Sequence, residues 1–352
     1  MKSIYDVDKN FRLKAEIQKE GMSFFNIEQE PFSIHGIFKE NGKFRRIPED
    51  VARSVSENVY YLHTNTAGGR VRFKTNSSRI SIIAKMEQLG LMPHFALTGS
   101  VGFDLYAKEE TNEVYCGSFI PPFNVSGGFE STVYLPNGNM KTITINFPLY
   151  SGVTELYIGI ENNSLLERAE EYAITKPVVF YGSSITQGGC ASRPGTSYES
   201  ILSRKLDFDY INLGFSGSAR AEQEIVVYIK GLEMSVFVMD YDHNAPNVEH
   251  LQNTHEKMFK AIREQNPDLP IILMSRPKYY LNDEEKKRLE IIRTTYQNAL
   301  AKGDCNVYLI DGKKLMELAK DEGTVDNCHP TDLGFFSMAC AVEKVLSNIL
   351  KK

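Results

Sequence analysis

Residues 177–190 restrict the possible folds more than any other stretch of this chain. They open with Val178-Val179-Phe180-Tyr181, an apolar run of β-branched and aromatic residues, which predicts a buried strand. The run stops at Gly182 and gives way to small polar residues, Ser183-Ser184 and then Thr186-Gln187-Gly188-Gly189-Cys190. Side chains that follow such a strand point out of the carboxyl edge of the sheet, where open α/β sheets keep their reactive groups. Gly182 lets the chain turn tightly, so backbone N–H groups beside Ser184 can face a ligand.

The same grammar continues to the end of the chain. Strands are predicted at 177–182, 209–213, 235–240, 269–275 and 306–311, and helices at 196–207, 219–230, 248–266, 282–301 and 332–350. This alternation predicts a parallel sheet with helices on both faces. Asn282 or Asp283 can cap the fourth helix, with Glu284 and Glu285 in its first turn. Leu333, Phe336, Ala339, Val342, Val345, Leu346 and Ile349 recur at helical spacing in the last one and read as core.

The first part of the chain is patterned differently. Val71-Arg72-Phe73-Lys74 and Ile80-Ser81-Ile82 alternate apolar with polar residues, as half-buried strands do. Ile143, Ile145 and Phe147 share one face, after Pro136-Asn137-Gly138-Asn139, which reads as a hairpin turn. Leu156, Ile158 and Ile160 make a last strand. Short strands separated by Gly, Asn and Pro turns suggest an antiparallel sandwich. Asn162-Asn163-Ser164 and a charged stretch at 167–171 mark the change, so the expected domains are a β-sandwich at 1–165 and an α/β domain at 166–352. A chain of 352 residues is long enough for both.

The net charge of −5 argues against a nucleic-acid partner, because no basic excess neutralises phosphates. No apolar run of about 18 residues is present, so no membrane span is expected. The first residues, Met1 to Asp8, lack the apolar core of a secretory signal. Cys116, Cys190, Cys305, Cys328 and Cys340 are odd in number and form no Cys-x-x-Cys pair. Free thiols, a reducing compartment and no zinc ribbon are expected; with no signal core, the expectation is a cytoplasmic protein, the alternative being one whose signal has been removed.

Four polar stretches fall at or near predicted carboxyl ends of strands: Gly182-Ser183-Ser184, residues 212–217, residues 240–244, and Asp326-Asn327-Cys328-His329-Pro330. A parallel sheet brings them to one edge, where they supply the parts for acyl transfer. Ser184 is the candidate nucleophile and His329 the base that takes its proton. Asp326 can accept from the other ring nitrogen, fixing the tautomer. The N–H groups of Ser184 and Gly217 and the side-chain amide of Asn244 are candidate oxyanion donors.

These blocks resemble the SGNH (GDSL-type) hydrolase superfamily: Gly-x-Ser-x-Thr, a glycine after the second strand, an asparagine after the third, and Asp-x-x-His-Pro. The resemblance places the family nucleophile on Ser184, its oxyanion glycine on Gly217, its oxyanion asparagine on Asn244, and its acid and base on Asp326 and His329. Two positions depart from the pattern. Ser183 stands where the family has Asp, and Asp242-His243-Asn244-Ala245 where it has Gly-x-Asn-Asp. Gly102-Phe103-Asp104-Leu105-Tyr106 resembles the Gly-x-Asp-Leu-Tyr signature of a β domain in front of one branch, which includes the acetyl mannan esterases of carbohydrate esterase family 17.

The resemblance implies a three-layer αβα domain with a flavodoxin-like sheet behind a jelly-roll-like, carbohydrate-binding accessory sandwich. It implies a serine esterase that needs no cofactor or metal and removes acetyl groups from oligosaccharides, mannooligosaccharides first. The competing readings are a lipid esterase or thioesterase of the same superfamily, and a glycan-binding protein on a dead hydrolase scaffold.

Blander readings accompany other residues. Ser216 reads as scaffold of the oxyanion loop, because position 218 is Ser and not the second Gly of a nucleophile elbow. The glycines at 182–189 lack the Gly-Lys-Ser/Thr of a phosphate loop. His243 is a pocket wall or a substrate contact, and with Asp240 and Asp242 it only imitates a metal set. His35, His63, His94, His250 and His255 read as ordinary surface or core residues, and Cys190 and Cys328 as thiols near the site.

Overall fold

The computed structural model describes residues 17–19, 21–109 and 112–351; the amino-terminal residues inspected for a signal lie outside these. The front part is two antiparallel sheets packed face to face. One has the order Ile17–Lys19, Met22–Asn26, Gly152–Glu161, Arg79–Glu87, Gly128–Tyr134. The other runs Leu166–Glu167, Arg70–Thr75, Lys141–Asn146, Phe103–Glu109, Asn112–Phe119, with Ser33–His35 paired to Arg70–Thr75. Ile80, Ile82, Leu156 and Ile158 from the first meet Phe73, Phe103, Leu105, Ile143 and Ile145 from the second, all fully buried. Pro136-Asn137-Gly138-Asn139 does not close a hairpin: it carries the chain from Gly128–Tyr134 in one sheet to Lys141–Asn146 in the other. Two short helices, Glu49–Val55 and Glu57–Leu62, also interrupt a region whose pattern predicts strands alone.

The second sheet is buried on its outer face as well. Lys141–Asn146 is buried at every position, although Thr142 and Thr144 alternate with its isoleucines. The carboxy-terminal part of the chain covers that face. Arg72, expected in solvent, is buried, with its guanidinium 4.0 Å from the Tyr172 ring centroid. Arg70 pairs with Asp209, and Lys108 lies 3.1 Å from Asp207. The Gly-x-Asp-Leu-Tyr motif divides between the two surfaces. Phe103 and Leu105 enter the sandwich core. Asp104 accepts from the Gly195 N–H at 2.8 Å, from Asn146 Nδ2 at 2.8 Å and from Arg193 at 3.2 Å.

The carboxy-terminal part contains β1 (Ile174–Gly182), α1 (Tyr198–Leu206), β2 (Phe208–Gly214), α2 (Gln223–Lys230), β3 (Val236–Asp240), α3 (Val248–Gln265), β4 (Ile271–Met274), α4 (Asp283–Ala301), β5 (Val307–Ile310) and α5 (Asp332–Leu350). The strands are parallel in the order β2-β1-β3-β4-β5. Val178 and Phe180 face the layer that includes Tyr198 of α1 and Phe335 of α5. Val179 and Tyr181 face the layer that includes α2, α3 and α4. The chain moves from β1 out to β2 and back to β3 on the other side, so a crevice opens at the carboxyl end of β1. There Gly182 pairs with both Gly214 and Asp240.

Local signals set the helix ends. Asn282 caps α4 and closes a capping box with Glu285. α2 begins at Gln223 and not 219, because Ala221 sits at φ +58, outside the helical region. α5 corrects two expectations. Its 19 residues, at a mean hydropathy of 1.4, are long and apolar enough to span a membrane, but Phe335, Met338, Ala339, Val342 and Leu346 pack into the core. Leu333 and Phe336 are about half exposed, so they belong to its solvent side.

Candidate active site

The nucleophile loop is shaped by crowding at its first residue. A Cβ on Gly182 would meet Thr186 Oγ1 and the Asp240 carbonyl, so the strand end admits glycine only. The chain then winds tightly: Gln187 N donates to Ser183 O at 3.0 Å and Gly189 N to Ser184 O at 2.8 Å. Ser184, 8% exposed, projects from this loop, and its Oγ lies 2.9 Å from His329 Nε2.

His329 and Asp326 occupy the loop between β5 and α5. His329 Nδ1 lies 2.7 Å from Asp326 Oδ2. Asp326 Oδ1 accepts the backbone N–H groups of His329 at 2.7 Å and Cys328 at 3.0 Å, so one carboxylate orients both ring and backbone. Asn327 at φ +64 allows that wrap. Burial raises the Asp326 carboxyl, but the His329 ring and these N–H bonds outweigh it and hold the group below its usual range.

The oxyanion candidates sit on two neighbouring loops. Gly217 has φ +67, a conformation suited to glycine. Its N–H and that of Ser184 have no hydrogen-bond acceptor among the described residues. Asn244 Nδ2 donates to Phe215 O at 2.8 Å, which ties the Asn244 turn to the Gly217 loop. His243 is half-buried, with Nδ1 3.9 Å from Cys328 Sγ, and burial pulls its imidazole down to about 4.

The structure also assigns the two acids left open by the sequence. Asp242 holds the turn that presents His243 and Asn244. It accepts from Arg276 N at 3.0 Å and Nε at 3.2 Å, and from Arg288 at 3.4 Å. Burial raises Asp242, and the Arg276 charge wins and keeps it below its usual range. Asp240 is buried beneath the nucleophile loop, accepting from Thr186 Oγ1 at 3.0 Å, and burial pushes its carboxyl up to about 8.

Four residues of the front sandwich reach this site without any local sequence signal. Arg46 donates to Asn212 O at 3.3 Å, to Gly214 O, and to Leu62 O at 2.8 Å, with its guanidinium 4.6 Å from the Phe215 ring centroid. Gln187 Nε2 donates to Asn65 Oδ1 at 3.1 Å, while Gln187 Oε1 accepts the Ser216 N–H at 3.0 Å. Tyr150 Oη donates to Ser184 O at 3.1 Å. His94, read from sequence as an ordinary residue, has its ring centroid 6.0 Å from that of His329. His35 and His255 fit the bland reading: they lie near Asp209 and Thr295, away from the loops described above.

Residues 175–347 match the model of the GDSL-like lipase/acylhydrolase family. Residues 22–166 match the GxDLY model, described as the N-terminus of esterases of the SGNH hydrolase type. No curated protein matched the chain. Among solved structures, a Bacteroides ovatus protein described as a GDSL-like lipase is similar at 27% identity and a TM-score of 0.84, covering 94% of this chain and 98% of that one. The salicylyl-acyltransferase SsfX3 of a tetracycline biosynthetic pathway shares the fold at 16% identity and a TM-score of 0.73, with coverage of 94% and 98%. A family two carbohydrate esterase from Cellvibrio japonicus shares it at 11% identity and a TM-score of 0.61, again covering 94% and 98%. With one model on its sandwich and the other on its α/β layer, the chain belongs to the two-domain SGNH (GDSL-type) hydrolases with a GxDLY front domain, and is a serine esterase.

Proposed function

We propose that the protein is a carbohydrate O-acetyl esterase, with acetylated mannooligosaccharides as its first substrate. In this reading Ser184 Oγ attacks the acetyl carbonyl carbon and His329 Nε2 takes the hydroxyl proton. Asp326 accepts the Nδ1–H and stabilises the imidazolium. The N–H groups of Ser184 and Gly217 and the Asn244 amide bind the tetrahedral oxyanion; losing one such donor raises a barrier by ~2.7–4 kcal/mol. His329 then returns its proton to the leaving sugar oxygen, and the acetyl group stays on Ser184. Water, deprotonated by His329, releases acetate by the same route.

The observation that carries this proposal is the continuous line from Ser184 to His329 to Asp326, at 2.9 and 2.7 Å. Polar flanks of the site, Asn244, His243 and Ser216, suit a hydroxylated substrate. A neighbour in fold is named a carbohydrate esterase, which supports the same class. Five free cysteines support a reducing, cytoplasmic location, where imported oligomers rather than polymer would be the substrate.

A fluorophosphonate probe is expected to label the wild type and not Ser184→Ala, whose turnover falls on the order of 10⁶-fold. Mass spectrometry of a mixed acetylated oligosaccharide pool is expected to show loss of acetyl groups. Preference for long-acyl esters or thioesters would remove the carbohydrate assignment, and absence of labelling together with no turnover of any ester would leave a binding protein.

A further inference from the structure

Three segments distant in sequence meet at the mouth of this site. The nucleophile loop ends at Cys190, held at φ +74. The loop before α5 supplies His329, and the front sandwich supplies His94. One ligand atom from each of His94, Cys190 and His329 lies within 4.8 Å of the other two. Asp326 occupies the Nδ1 side of His329 at 2.7 Å, so Nε2, 2.9 Å from Ser184 Oγ, is the ring nitrogen left with a lone pair for a metal.

Two imidazole nitrogens and a sulfur favour a borderline-soft ion such as Zn²⁺ over Mg²⁺ or Ca²⁺, which take oxygen. Zinc bonds of ~2.0–2.1 Å to nitrogen and ~2.3 Å to sulfur need ligand atoms somewhat closer than they stand. His94 is exposed and its side chain can swing inward to close that gap. Three protein ligands leave a fourth position for water.

We propose that His94, Cys190 and His329 form an inhibitory zinc site across the two domains. This rests on the reading of His329 as the catalytic base. An imidazole whose nitrogen holds zinc has no lone pair for the Ser184 proton, so zinc and turnover exclude one another. Binding releases the Cys190 thiol proton to solvent, because the thiolate is the ligand. The neighbouring Cys328 and His243, 3.9 Å apart, lie outside the triplet and serve as its control.

Zinc chloride alone, titrated into the wild-type enzyme during hydrolysis of a small acetyl ester, is expected to inhibit reversibly, with activity restored by a chelator. His94→Ala and Cys190→Ser should each weaken inhibition by at least the ~10-fold that even an outer-shell loss causes. Cys328→Ser should leave inhibition unchanged. Cobalt binding to Ser184→Ala is read without turnover: a sulfur-to-cobalt charge-transfer band is expected, and Cys190→Ser should remove it. Equal inhibition of wild type, His94→Ala and Cys190→Ser overturns the site, as does absence of the band or relief by Cys328→Ser. A cobalt band in a protein that hydrolyses no ester would leave the metal site standing and overturn the esterase reading instead.

Discussion

The front sandwich and the catalytic sheet bury their strands in different ways. Val236–Asp240 is buried throughout because helices cover both faces of an apolar strand. Lys141–Asn146 is also buried throughout, yet its sequence alternates isoleucine with threonine. Its apolar face fills the sandwich core, and its polar face lies under the catalytic part. Polar alternation therefore marks a docking surface here, where it would ordinarily mark solvent. The two regions also divide the site between them. The catalytic sheet presents Ser184, Gly217, Asn244, Asp326 and His329 on loops. The sandwich supplies Arg46, Asn65 and Tyr150, which hold those loops from outside. Reactive groups on loops stay precise only when neighbouring packing locks them.

Breaking this division at Arg46 should have the largest effect. Arg46→Met keeps the bulk but strips the donors from three carbonyls, those of Leu62, Asn212 and Gly214. Leu62 O keeps the Asn65 N–H at 3.0 Å, and each bond lost from the charged guanidinium costs about 1.5–3 kcal/mol. With the Gly214–Gly217 loop loosened, kcat should fall on the order of 10²-fold, as when an oxyanion donor is lost, while KM changes little. Steady-state kinetics on protein shown to be folded by circular dichroism measures this. An unchanged kcat would reduce the sandwich to a scaffold.

Asp104→Asn sharpens the comparison at the domain junction, with a smaller effect. The substitution keeps the shape but weakens acceptance from Gly195 N–H and Arg193. A loss of about 1–3 kcal/mol in denaturant midpoint analysis is expected, with a milder effect on kcat than Arg46→Met. If Asp104→Asn harms turnover more than stability, the junction itself tunes the nucleophile loop.

A third test separates the two regions by pH. Asp240, beneath the nucleophile loop, is raised to about 8 by burial. The folded state therefore keeps a proton that the unfolded chain releases near ~3.9. That stabilisation is complete below the unfolded value and is lost as pH rises through about 8. Wild type should lose thermal stability between acidic and mildly alkaline buffer more steeply than Asp240→Asn, which has no proton to lose. Parallel pH slopes of melting temperature for the two proteins would refute a buried neutral Asp240.

Much of the site was legible because its chemistry sits in local patterns. Ser184 follows an apolar strand and a glycine, and Asp326 lies three residues from His329, close enough to bond both its ring and its N–H. Asn244 was harder to assign, since its turn departs from the family pattern, but its bond to Phe215 O ties it to the Gly217 loop. Leu333 and Phe336 were misread because helical spacing identifies apolar residues without saying which side of a rather apolar helix meets the core. The turn at 136–139 was misread because its residues specify a reversal and not the sheet that the next strand joins.

The amino-acid sequence by itself determined the parallel sheet, the antiparallel front and the residues that assemble beside Ser184. Strand, turn and cap preferences arise from sterics and burial among near neighbours, so they survive as short patterns. Only the tertiary structure decided that the polar face of Lys141–Asn146 docks on the catalytic part, that Arg46 reaches the Gly214 carbonyl, and that His94 arrives beside His329. Those contacts join segments from opposite parts of the chain, and they exist only once both cores have formed and brought their surfaces together.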